Sequence, residues 1–157
     1  MKKIINPYAG TSEDLGYNCF ACAPGNPCGL KMEFYEDGED VVCYWTANEN
    51  YQSWINTVHG GILATLIDET AGWFIFRKYQ TSAMTTSLNV KYKKPVPIGK
   101  QLEVRAKLRE ARKSFLIMDI TLSYDGVLCC SAEAMYYKFP KEMAEKEFHF
   151  LPYEVEE

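Results

Sequence analysis

The residues best placed to do chemistry lie in one stretch, VHGGILATLIDETAGWFIF, residues 58–76. His59, Gly60 and Gly61 open it. Asp68 and Glu69 then sit side by side in an apolar run with no basic residue before Arg77. Carboxylates in an apolar helix are costly to bury unless something pairs with them or uses them. A glycine pair at a helix start leaves backbone N–H groups open to an incoming oxygen, and the positive end of the helix dipole adds to them. Glycine also lets a substrate approach the backbone without meeting a Cβ. A carbonyl placed there would be polarised and its tetrahedral oxyanion stabilised. An acid and an oxyanion-type donor on one element are parts of an acyl-transfer site.

Asp68 follows Gly60 by eight residues, which is about 12 Å along a helix axis. A carboxylate that far away cannot attack, or activate water at, a carbonyl held by Gly60. If both residues serve one site, they come from two copies of the chain, with helices antiparallel across a two-fold axis. Each residue also has a plainer role. The glycines could simply permit a tight entry into the helix, and Asp68 could cap or pair locally. Glu69 lies about 100° round the helix and competes with Asp68; pairing with Arg77 or Lys78, or simple exposure, is its plainer role. His59 fits a hydrogen-bonded structural histidine better than a general base. Triads with serine or cysteine fit poorly, since His149 is remote and no G-x-S-x-G elbow occurs. No phosphate-binding or dinucleotide glycine pattern is present.

The elements that must position these residues follow from hydropathy. Helical content runs from Gly60 to about Tyr79. Residues 30–36 and 41–47 read as strands around EDGED. In MTTSLNVKYK, residues 84–93, Met84, Thr86, Leu88, Val90 and Tyr92 fall on one face. Thr85, Ser87, Asn89, Lys91 and Lys93 fall on the other, so Thr85 is expected on the polar side. Further strands cover 101–110, 115–124 and 127–139, with a tight hairpin at Asp125-Gly126. A helix apolar nearly all round must be covered nearly all round. One antiparallel sheet curled about it gives an α+β fold. The chain is expected to form one domain over 1–157, with a structured lead-in at 1–30 and an acidic, aromatic tail at 140–157.

Composition narrows the function class. Apolar residues make up 47% and charged residues 24%, which reads as globular. A net charge of −4 argues against a nucleic-acid surface. The start MKKIINPYAG has no apolar core of a secretory signal. The longest apolar run is broken by Asp68 and Glu69, so no membrane span is expected and the cytoplasm is the default location. Among the six cysteines, Cys19-x2-Cys22 could begin a zinc site. A second close pair is missing, so reduced thiols acting as small buried hydrophobes are expected, with no metal and no cofactor.

Three blocks resemble the hot-dog-fold acyl-CoA thioesterases of the phenylacetyl-CoA/4-hydroxybenzoyl-CoA type. CFACAPGNPCGL, residues 19–30, is similar to the lead-in of one branch, with Ala23 where that branch usually has glycine. YQSWINTVHGGILATLIDETAG, residues 51–72, looks like the HGG-x6-D helix signature, and MTTSLNVKYKKPVPIGK, residues 84–100, resembles the strand that follows. The resemblance implies five or six antiparallel strands around the central helix, with sites at the interface of a homodimer, possibly paired into a homotetramer. It implies that Gly60 polarises the carbonyl, that His59 shapes that end of the site, and that Asp68 of the partner subunit acts as nucleophile or base. Thr85 aligns with a hydroxyl residue that positions water in some relatives. Gly61, Glu69, Trp54 and Asn56 are the expected substrate-binding residues. Ser53 stands where some branches have asparagine, with Asn56 and Gln52 nearby. Trp54, Trp73, Phe74 and Tyr92 are candidate groove liners, and Lys91, Lys93, Lys94, Arg112 and Lys113 candidate phosphate contacts. The resulting expectation is acyl-CoA hydrolysis. A non-catalytic acyl-CoA-binding or sensing module is the alternative, and a hydratase on the same fold a lesser one.

Overall fold

The computed structural model describes residues 1–157. Its chain order is β1 (Lys2–Ile5), α1 (Ser12–Leu15), β2 (Phe34–Asp37), β3 (Asp40–Thr46), α2 (Gly60–Tyr79), β4 (Ala83–Tyr92), β5 (Gln101–Arg112), β6 (Phe115–Tyr124), β7 (Val127–Lys138), α3 (Lys141–Phe148) and β8 (Glu154–Val155). The strands form one antiparallel sheet in the order β4-β7-β6-β5-β3-β2-β1-β8. It curls around α2, as the helix demands. Leu66, Ile67, Ala71, Trp73 and Ile75 are buried on α2, against Phe34, Val104, Met118, Ile120 and Leu122 from the sheet. Phe34 stacks on Trp73 with ring centroids 4.2 Å apart. At about 25 cal/mol per Å² of apolar surface, this two-sided burial is what drives the sheet round the helix.

The expected α+β, hot-dog arrangement is present, but the strand count is eight, not five or six. The six strands β2 to β7 were readable, the first two from the turn EDGED between them and the later ones chiefly from alternation. The two extra ones come from the termini. β1 pairs with β2, and the two-residue β8 pairs with β1. Such short strands carry too few residues for a period of two to show. The tail is anchored by Tyr153, which packs edge-on against Trp73 at 5.0 Å. Its backbone carbonyl accepts hydrogen bonds from Arg77 and Gln80. The first expected strand starts late, at Phe34, because Leu30 and Met32 donate instead to Phe20 and Ala21 in the lead-in.

α2 begins and ends where its sequence says. His59 is the N-cap, and Gln80 closes the helix in the left-handed region at φ 51°. The hairpin at Asp125-Gly126 has positive φ at both residues, as a type I′ turn requires. No helix is long and apolar enough to cross a membrane.

Candidate active site

The turn before α2 separates the two glycines. His59 Nδ1 accepts the Gly61 N–H at 2.9 Å, which puts the proton of the neutral ring on Nε2. The His59 carbonyl accepts from Ile62 and Leu63 at 3.0 and 3.1 Å. The Gly60 N–H makes no hydrogen bond. It is one of the orphan donors of a helix start, pointing along the positive end of the dipole. A Cβ at Gly61 would come within 3.1 Å of His59 Nδ1, whereas one at Gly60 would meet nothing closer than the Tyr92 ring at 3.7 Å. A side chain at Gly61 would therefore crowd the His59 ring that makes the cap, while nothing within the subunit crowds a side chain at 60. Tyr92 donates to the Gly60 carbonyl at 2.8 Å. A cavity of about 280 Å³ opens at this turn, lined among others by Gly60, Ser53, Leu63, Tyr92, Lys93 and Lys94.

Asp68 lies two turns further along α2 and is partly buried. Its Oδ1 accepts two hydroxyls, from Thr85 and from Tyr136, each at 2.8 Å. Oδ2 has no hydrogen-bond partner. Burial and the neighbouring Asp68 carboxylate push the Tyr136 phenol well above its ordinary range, so it stays a donor. Tyr136 escaped the sequence reading. Its signal was a tyrosine on an inward position of the last strand, where a buried hydroxyl needs a partner.

Thr85 corrects an expectation. Its hydroxyl faces α2, not the polar side, because β4 carries a bulge between Thr85 and Ser87 where it pairs with Tyr136 and Met135 of β7. The extra residue, Thr86, shifts the phase, so Thr85 shares its face with the core-packed Leu88 and Val90.

Glu69 corrects another. It is neither exposed nor paired with Arg77 or Lys78, which bind Glu36 and Glu39 instead. It turns away from Asp68 and accepts Trp73 Nε1–H at 3.0 Å, with Cys19 Sγ at 3.8 Å. Burial pushes its carboxyl up to about 7, and the Cys19 side chain adds to the shift. Cys19 is lowered to about 6, chiefly by its hydrogen bond with Cys22, while Cys22 is raised by that same bond and by burial.

Other expected residues are scattered. Trp54 is 83% exposed on the loop before α2. Asn56 is exposed beside it at φ 59°, its N–H held by Gln52 Oε1 at 2.9 Å. Trp73 and Phe74 are buried in the core and do not line the cavity at Gly60. Arg112 pairs with Glu110. Lys93 and Lys94 alone of the expected cations line the cavity beside Gly60. Within one chain, Gly60 and Asp68 remain about 12 Å apart along the helix.

A long central helix wrapped by one antiparallel sheet, entered through His-Gly-Gly and carrying an aspartate two turns on, defines the hot-dog class. Residues 55–130 match the family model of the thioesterase superfamily. The rat acyl-coenzyme A thioesterase THEM4 (Rattus norvegicus) is 35% identical over 116 residues, covering 70% of this chain and 50% of the relative. Mouse acyl-coenzyme A thioesterase 13 (Mus musculus) is 25% identical over 93 residues, covering 57% and 66%. Among solved structures, a thioesterase superfamily protein from Shewanella loihica PV-4 matches with a TM-score of 0.61 at 25% identity, covering 69% of this chain and 91% of that one. A hypothetical thioesterase protein from Streptococcus pneumoniae TIGR4, solved with coenzyme A, matches with a TM-score of 0.65 at 19% identity, covering 70% and 90%. In sequence and in fold the chain is similar to the thioesterase superfamily. It spans about half the length of the THEM4 relative from rat.

Proposed function

We propose that the protein hydrolyses an acyl thioester, with acyl-CoA as the substrate class, at a site completed by a second copy of the chain. The observation that carries this is the pairing of a free Gly60 N–H at the helix start with an Asp68 carboxylate clamped on one oxygen and free on the other. Neither group suffices alone, and the helix keeps them apart within one subunit. β4 is the outer strand of the sheet, ten residues long, with Met84 and Tyr92 exposed. A long exposed edge invites pairing with another strand. A two-fold pairing of β4 edges runs two α2 helices antiparallel and brings Gly60 of one copy toward Asp68 of the partner subunit.

In that arrangement the thioester carbonyl oxygen accepts the Gly60 N–H. Asp68 Oδ2 takes a proton from water as the water oxygen attacks the carbonyl carbon. Thr85 and Tyr136 hold Oδ1, so the free oxygen keeps its aim. The oxyanion collapses, the carbon–sulfur bond breaks, and the departing thiolate takes up the proton. Lys93 and Lys94 beside Gly60 supply positive charge for phosphates of the carrier. The named acyl-coenzyme A thioesterases among the relatives support the substrate class, and the Streptococcus pneumoniae protein shows that the fold can hold coenzyme A.

The test is Asp68→Asn, assayed with short, long and aromatic acyl-CoAs and a thiol reporter. Turnover is expected to fall by about 10²–10⁴-fold, the usual worth of a positioned base. Undiminished turnover in a folded variant removes Asp68 from the mechanism. Acyl-CoA binding by the wild-type chain without thiol release would instead make it a binding module.

A further inference from the structure

The lead-in turn at Cys19 and the face of α2 that carries Glu69 meet in a cluster that the hydrolytic reading does not use. Cys19 Sγ, Cys22 Sγ and a Glu69 carboxylate oxygen all lie within 4.8 Å of one another. The first sulfur is held by the backbone of its own turn: Cys22 N–H donates to Cys19 Sγ at 3.4 Å, and Ala23 N–H donates to the Cys19 carbonyl at 3.1 Å. Glu69 is held from the far side by Trp73 Nε1–H, and Cys22 by the Tyr17 hydroxyl at 3.0 Å. No lysine, arginine or histidine pairs with Glu69. The two cations that follow on the same helix are taken by Glu36 and Glu39. Three donors able to carry negative charge thus converge in a largely enclosed spot without a cationic partner, an arrangement that is costly unless a cation compensates it.

We propose that Cys19, Cys22 and Glu69 bind a soft divalent cation of the zinc class. The donor set selects it: thiolates favour zinc over the hard, oxygen-seeking magnesium and calcium. The spacing suits it too. Bonds of about 2.3 Å to sulfur and about 2.1 Å to oxygen place two ligands of a tetrahedral ion about 3.5 Å apart. Cys19 Sγ and Glu69 Oε1 are already 3.8 Å apart. Three protein donors leave the fourth position to water or an external ligand. The ion joins the lead-in to the helix turn that also carries Asp68. This proposal stands apart from the hydrolytic one, because its readout is metal binding and not turnover.

The experiment uses the full chain, reduced and stripped of metal, titrated with zinc against a chromophoric chelator and with cobalt as a spectroscopic probe. One equivalent is expected. Cobalt should give a sulfur-to-metal band in the near ultraviolet together with the visible bands of a tetrahedral ion. Cys19→Ser and Glu69→Gln are each expected to weaken zinc binding at least tenfold, with Cys28→Ser, at an exposed site outside the cluster, as the unaffected control. Zinc should raise the melting temperature of the wild type and not of Cys19→Ser. Cys22 is buried, so its replacement is avoided. Should Cys19→Ser fail to fold, the Glu69→Gln titration and the cobalt spectrum still decide. The proposal falls if the chain, with its thiols shown to be reduced, takes up no stoichiometric zinc, or if binding survives both substitutions unchanged.

Discussion

Two neighbouring glycines do different work, and substitution separates them. A methyl group at Gly61 presses on the His59 ring that caps α2, so Gly61→Ala should lose about 1 kcal/mol of stability, the usual worth of a cap. Chemical denaturation measures this. A methyl group at Gly60 meets only ordinary contact inside the subunit. Gly60→Ala should therefore keep its denaturation midpoint while kcat/KM falls more than tenfold, because the Cβ stands where the substrate carbonyl approaches. On the proposed mechanism, Tyr136→Phe and Thr85→Val each remove one hydroxyl from Asp68 Oδ1. Each single variant should lower kcat about tenfold with KM little changed. The double variant should lose more than the product of the two, because either hydroxyl alone still orients the carboxylate.

At the scale of elements, the bulge in β4 takes up the extra residue Thr86. Deleting Thr86 removes the bulge but leaves Thr85 opposite Tyr136 and on the same face as Leu88, so its hydroxyl should stay on Asp68. The deletion variant should stay folded by circular dichroism and keep the activity of the wild type. Activity as low as that of Thr85→Val would mean that the bulge itself, and not only the pairing of Thr85 with Tyr136, aims the hydroxyl. The stacked Phe34 and Trp73 fasten β2 onto α2, and Phe34 is fully buried. Phe34→Ala should cost about 3–5 kcal/mol, read from urea unfolding, since it removes an aromatic ring from a close-packed site.

For the whole molecule, the proposed shared site predicts complementation. Asp68→Asn and a Gly60 variant that bars the substrate should each be inactive alone. Co-expressed, half of the dimers are mixed, and each mixed dimer has one site with both groups intact. Roughly a quarter of wild-type activity should return, as two-fold symmetry dictates. No recovery, with mixed dimers shown to form, would place donor and acid in the same subunit or remove one of them from the site.

The extent of α2, its glycine entry, the six strands β2 to β7 and the Asp125-Gly126 turn were all legible in the residues. Each rests on local rules: period, caps and turn chemistry act over a few positions. Contacts between residues far apart in the chain decided the rest. Asp68 meets Thr85 across 17 positions and Tyr136 across 68, and Cys19 meets Glu69 across 50. No periodicity spans such distances. The bulge beside Thr85 exists only where β4 is paired against β7, and the terminal strands exist only where β2 offers an edge. Order along the chain sets which elements form; packing of the sheet around α2 sets which side chains they bring face to face.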